Sequence, residues 1–135
     1  GIGKLIEDIL RDLGKDVKLA RNGYNRWEVK EGSARIKIHY NQENYFIAGD
    51  AYLCQLPADG SMIIPLYNFL LEENYNMNGL VLSCMNQNIV LSRIIYDMDI
   101  NKESGIHLFR DLFTKADEYD NVLKKEYGCT ERLEE

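Results

Sequence analysis

The sequence has 135 residues, with 16 Lys plus Arg against 22 Asp plus Glu, a net charge of −6 and 45% hydrophobic residues. That length fits one domain able to build a core without metal or disulfide staples, and the composition excludes a wholly disordered chain. The acidic balance argues against a binder of nucleic acid or of anionic membrane, both of which need a positive field.

Residues 4–13 place Leu5, Ile6, Ile9, Leu10 and Leu13 on one stripe, with Glu7, Asp8, Arg11 and Asp12 opposite. That spacing predicts an amphipathic helix, stopped at Gly14. Residues 15–24 are polar and read as a connection in which Val17 and Leu19 pack locally. Three strands follow. Residues 24–30 alternate around Trp27 and Val29, and Glu31-Gly32-Ser33 is a turn. Residues 34–40 set Ala34, Ile36, Ile38 and Tyr40 on one face and Arg35, Lys37 and His39 on the other, the pattern of an antiparallel strand with one wet face. Asn41 to Asn44 turns the chain into a third strand over 45–56, where Gly49-Asp50 marks an expected bulge or bend.

After a loop from Pro57 to Ser61, residues 62–75 read as a second helix, with Pro65 tolerated in the first turn and Ile64, Tyr67, Leu70 and Leu71 sharing a face. Strands over 79–86 and 88–97 are joined so tightly that they form a hairpin, apolar enough for burial on both faces over part of its length. Asn101 or Asp99 caps a long helix marked by Ile106, Phe109, Phe113, Ala116, Leu123 and Tyr127 and ended by Gly128. The expected organisation is one α+β domain over residues 1–128, an antiparallel sheet flanked by helices in the order α-β-β-β-α-β-β-α, followed by a short polar tail over 129–135.

Chemistry is sparse. The two histidines, His39 and His107, have no ligand or nucleophile at motif spacing and read as solvated surface residues. Glu72-Glu73, Asp97-Asp99 and Asp117-Glu118-Asp120 read as solvated charged faces. Asp97, Asp99 and Asn101 alternate like calcium-loop ligands, but the required glycine and downstream Glu are absent. No glycine-rich phosphate loop follows a strand. Three cysteines without a CxxC pair fit neither a disulfide framework nor a zinc site, and favour a reducing cytosol. Cys54 and Cys84 lie in apolar strands, where a thiol packs as a small hydrophobe, whereas Cys129 lies in the polar tail as the candidate reactive thiol. No apolar run approaches the roughly 20 residues that span a bilayer. The start, Gly1-Ile2-Gly3-Lys4, lacks the basic-then-apolar order of a signal peptide, and a first residue other than Met leaves room for an upstream segment removed by processing.

The string LPADGSMIIPLYNFLLEEN over residues 56–74 carries a Leu-Pro after a strand and then a helix with Leu66-Tyr67, Leu70-Leu71-Glu72 and Asn74. A Gly79-led strand, a hairpin and a helix with Leu112, Ala116-Asp117 and Leu123 follow. This order, over residues 4–128, resembles YbjN-type domains and the class I type III secretion chaperones (Tir chaperone-like). Pro65 is a departure, at a place where secretion chaperones vary. The resemblance implies a small, acidic, bacterial, cytoplasmic homodimer that binds protein without catalysis or cofactor, an effector segment wrapping the dimer in extended form.

Together with the missing catalytic set, this points to a non-catalytic module that holds a peptide segment of a partner. The candidate dimer surface is Ile63, Ile64, Tyr67 and Leu71 with Ile89 and Leu91 of the hairpin, and the candidate partner surface is Leu5, Ile9, Trp27 and Tyr45. The alternatives are a structural dimerisation domain of a larger assembly, or a small-ligand domain whose polar cluster is Asp97, Asp99 and Glu103.

Overall fold

The computed structural model describes residues 1–131. The first helix, α1 (Ile2–Asp12), turns Ile6, Ile9 and Leu10 inward, as the stripe demands, and ends where Gly14 takes a left-handed φ of +81°. The connection contains a short helix, α2 (Val17–Ala20), whose first turn is capped by the Asp16 carboxylate, which accepts from the N–H groups of Lys18 (3.1 Å) and Leu19 (3.3 Å). Val17 is buried there, but Leu19 is exposed.

Strands β1 (Arg26–Glu31), β2 (Ala34–Asn41) and β3 (Phe46–Gln55) form an antiparallel meander. Helix α3 (Ile63–Asn76) follows, with Pro65 in its first turn, and then the hairpin of β4 (Leu80–Met85) and β5 (Asn88–Tyr96). Asn86 and Gln87 both take positive φ (50° and 69°), the two-residue turn whose twist suits a hairpin. The hairpin enters the sheet through β5, so the order is β1-β2-β3-β5-β4 with every neighbour antiparallel. The long helix, α4 (Lys102–Tyr127), opens with a reciprocal cap: Asn101 Oδ1 accepts from Ser104 N–H (2.8 Å) and Ser104 Oγ from Asn101 N–H (3.0 Å). Gly128 closes it at φ 71°.

α4 lies across β3, burying Phe109, Leu112, Phe113, Ala116 and Leu123 against Ile36, Ile38, Ile47, Ala51, Leu53 and Leu91. Gly49 serves this packing: a Cβ there would stand 2.7 Å from Leu112 Cδ2. It marks no bulge. The register shift of β3 falls between Tyr52 and Cys54 instead. α1 crosses α4 where Gly105 leaves room for Ile9. Past α4 the chain stays in contact with the sheet. Cys129 is buried and Thr130 pairs with Gln55, while tail residues 132–135 lie outside the described residues.

Candidate partner-binding surfaces

Because the helices cover one face of the sheet, the other face is open, and it divides in two. Over β1–β3 it is polar: Arg35 pairs with Glu28 (3.5 Å), Lys37 sits over the Tyr52 ring, and Ser92 Oγ donates to Asp50 (2.6 Å). Over the hairpin it is more apolar: Val81, Met85, Ile94 and Tyr96 are exposed, with Ser83 and Ser92 among them. At its end Tyr45, Tyr96 and Met98 line an open pocket of about 430 Å³.

α3 flanks this apolar half. Its inner side is already used: Leu66 and Leu70 are buried, Phe69 stacks on Tyr127 at 4.8 Å, and the Tyr119 hydroxyl donates to Glu73 (2.8 Å). Burial and that acceptor together push the Tyr119 phenol upward. Its outer side carries Ile64, Tyr67, Leu71 and Tyr75, at 72, 40, 67 and 90% exposure. Steps of three, four and four residues keep all four on one stripe. Asn74 ties the helix to the sheet edge. Its Oδ1 accepts from Leu82 N–H (2.7 Å) and its Nδ2 donates to Leu82 C=O (2.9 Å), so a side chain takes the place of a neighbouring strand at the centre of β4.

The residues singled out from sequence divide accordingly. Ile64, Tyr67 and Leu71 come together on the α3 stripe, with Ile63 half-buried beside them. Ile89 and Leu91 lie in the core under the helices, fully buried, because the β3–β5 register turns odd-numbered residues of β5 inward at that point. Ile9 and Trp27 are core residues too, the Trp27 indole N–H donating to Glu7 (2.9 Å), and Leu5 packs half-buried against them. Tyr45 is exposed at the β2–β3 turn and is not part of that core cluster. Tyr75 was missed because Asn74 to Asn78 reads as the end of a helix, and Val81, Met85, Ile94, Tyr96 and Met98 were missed because a hairpin pattern does not reveal which face stays uncovered.

Nothing assembles into a catalytic set among the described residues. His39 packs edge-on to Phe46 and His107 is exposed. Asp97 accepts from the Tyr40 hydroxyl (2.8 Å), raising that phenol's pKa, while Asp99 and Glu103 face solvent. No group of three His, Cys, Asp or Glu residues is placed to hold a metal among those described. Ser33, Asp120 and Lys124 do meet, Lys124 Nζ donating to Ser33 Oγ at 2.7 Å. Burial opposes the Lys124 charge, but its bonds to Glu131 and Asp120 outweigh burial and raise its pKa. Ser33 Oγ in turn donates to the Asp120 carboxylate, so the trio ties the β1–β2 turn to α4. Cys84, expected inside, is exposed on β4, and Cys129, expected in an open tail, is buried.

No family model matches the sequence, and no curated protein matches it significantly. Solved structures do match. ExsC, from a complex with ExsE, superposes with a TM-score of 0.67 at 13% identity over 90% of this chain and 92% of its own. YbjN from E. coli gives 0.63 at 14% identity over 96% and 94%. The Yersinia pestis type III secretion chaperone SycH, in complex with a stable fragment of YscM2, gives 0.60 at 15% over 86% and 97%. The chain has the fold of the type III secretion chaperones and YbjN. At such identities the likeness is one of fold, matched over nearly the whole length. This chaperone-like α+β fold is a five-stranded antiparallel sheet with helices packed on it, as the order of elements in the sequence implied. Among the described residues no helix is long and apolar enough to cross a membrane.

Proposed function

We propose that this protein is a non-catalytic protein-binding module that self-associates as a homodimer through the outer face of α3 and holds an extended segment of a protein partner. The observation that carries this reading is the α3 stripe: Ile64, Tyr67, Leu71 and Tyr75 stay exposed although the inner side of the same helix is already packed. A contiguous apolar face of this kind marks an interaction surface, whereas scattered exposed residues need no explanation. Helix against helix across a two-fold axis makes one stripe complementary to its own copy. The exposed hairpin face next to it extends the apolar area toward the ~800 Å² per partner of a standard interface. Chaperone-fold structures solved with protein partners support binding of protein, and three free thiols fit a reducing cytosol.

Light scattering coupled to gel filtration tests the dimer. The unaltered chain is expected at twice the chain mass and Leu71→Glu as a folded monomer with an unchanged circular dichroism spectrum. A monomeric unaltered chain, or an undisturbed dimer in both Leu71→Glu and Ile64→Glu, would remove α3 from the interface. Cross-linking and mass spectrometry on the tagged protein in source lysate then tests the partner. A single stoichiometric protein cross-linked in an extended stretch is the expected result; self-association alone would leave a structural dimerisation domain.

A further inference from the structure

An isolated antiparallel bridge lays the segment after α4 along the end of β3. Gln55 N–H donates to Thr130 C=O at 2.9 Å, and Thr130 N–H to Gln55 C=O at 3.1 Å. Cys54 and Cys129 each precede a bridged residue, so their side chains fall on one face of the bridge, diagonal to each other. The second thiol is held in place by the helix end, since Gly128 is left-handed and Cys129 N–H donates to Leu123 C=O (3.2 Å). Cys54 is fully buried and Cys129 is 6% exposed, which leaves the latter as the point of entry. The neighbouring Cys129 pushes the Cys54 thiol up, and Cys54 in turn pushes the Cys129 thiol down. Cys84 is no rival partner. It is two strands from Cys54 with Ile89 between them, about 10 Å by strand spacing and beyond disulfide reach.

We propose that Cys54 and Cys129 are a redox pair, forming a reversible intramolecular disulfide that latches the segment after α4 to the end of β3. With hydrogen peroxide as oxidant, the Cys129 thiolate attacks one peroxide oxygen and breaks the O–O bond, giving a sulfenic acid and hydroxide. The Cys54 sulfur then displaces the sulfenic hydroxyl, forming the S–S bond as its proton and that hydroxyl leave as water. Two thiols are oxidised and one peroxide becomes two waters; a dithiol reverses the bond by exchange. The same segment already carries the Lys124–Glu131 ion pair (2.6 Å), so the latch reinforces an existing contact. This site is separate from the α3 stripe and does not depend on it.

The test uses the full chain with Cys84→Ser, which removes the exposed thiol. After peroxide treatment, alkylation in denaturant and digestion without reductant, mass spectrometry should find the Cys54–Cys129 cross-linked peptide, absent again after dithiothreitol. Thermal melting should shift upward by about 5 °C or more, because the bond closes a long loop. In Cys54→Ala on the same background, Cys129 should pass on to the sulfinic acid, having no partner to resolve it. Should that variant not fold, the cross-link in the parent decides alone. Recovery of Cys54 alkylated, with Cys129 either alkylated or over-oxidised in the parent, would overturn the proposal.

Discussion

α1 and α3 are of comparable length, 11 and 14 residues, and both carry a run of large apolar side chains, yet the fold treats them oppositely. Every large apolar side chain of α1 from Leu5 to Leu10, and Leu13 just after it, faces the core, and the outer side is charged, with Lys4–Asp8 and Asp8–Arg11 pairs at 3.1 and 3.2 Å. In α3 apolar residues occupy both sides, one packed on α4 and one facing solvent. A helix that is apolar on one stripe is finished by its own domain, whereas one that is apolar on two sides has more surface than one core can cover. Each helix is also pinned by one polar side chain. Glu7 bonds to Arg21 (2.7 and 2.8 Å) and to Trp27 from α1, and Asn74 bonds to both backbone groups of Leu82 from α3.

The largest test of this contrast is a pair of truncations. Ile9→Ala should cost about 3 kcal/mol, the usual price of an emptied core site, whereas Leu71→Ala should change stability by less than about 0.5 kcal/mol at concentrations where the chain is monomeric. Urea unfolding of both variants is the measurement, and equal losses would erase the distinction between the helices. Asn74→Ala comes next. It leaves the Leu82 N–H and C=O without their partner and should cost about 1–2 kcal/mol, with faster hydrogen exchange at the Leu82 amide. Unchanged exchange there would mean that α3 shields the edge without this bond.

The smallest effect concerns acid. The Arg21 hydrogen bond, opposed by burial and helped by the Trp27 indole, holds the Glu7 carboxyl at about 2 against an ordinary 4.5. A carboxyl lowered on folding stabilises fully above the ordinary value and loses that contribution as pH falls from about 4.5 toward 2. Arg21 is half exposed, so solvent screening keeps the contribution modest. Glu7→Gln should therefore flatten the acid limb of a stability-against-pH curve while leaving stability near neutrality only slightly reduced. An acid limb identical in both proteins would assign it to other carboxylates.

These cases also separate what could be read in the sequence from what could not. The α1 stripe, the alternation of β2, the tight turn before β5 and the Asn101 cap are local signals, each set by side-chain spacing within a few residues. Gly49 was legible as a special position but not for its reason, because the side chain it makes room for, Leu112, belongs to a distant helix. The placement of Ile89 and Leu91 in the core depended on which face of the hairpin met α4, and shifting register by one residue would have exchanged it with the exposed set. Cys54 and Cys129 share no pattern in the chain; only the bridge at Gln55 and Thr130 brings them together.

By itself, then, the sequence determined the elements, their order and the α+β class, since periodicity and capping act over one or two turns of chain. Tertiary structure alone decided which of two apolar faces on α3 stayed open, which strand of the hairpin became the edge, and which thiols met. Those outcomes depend on contacts between residues far apart in the chain, and no local spacing encodes them.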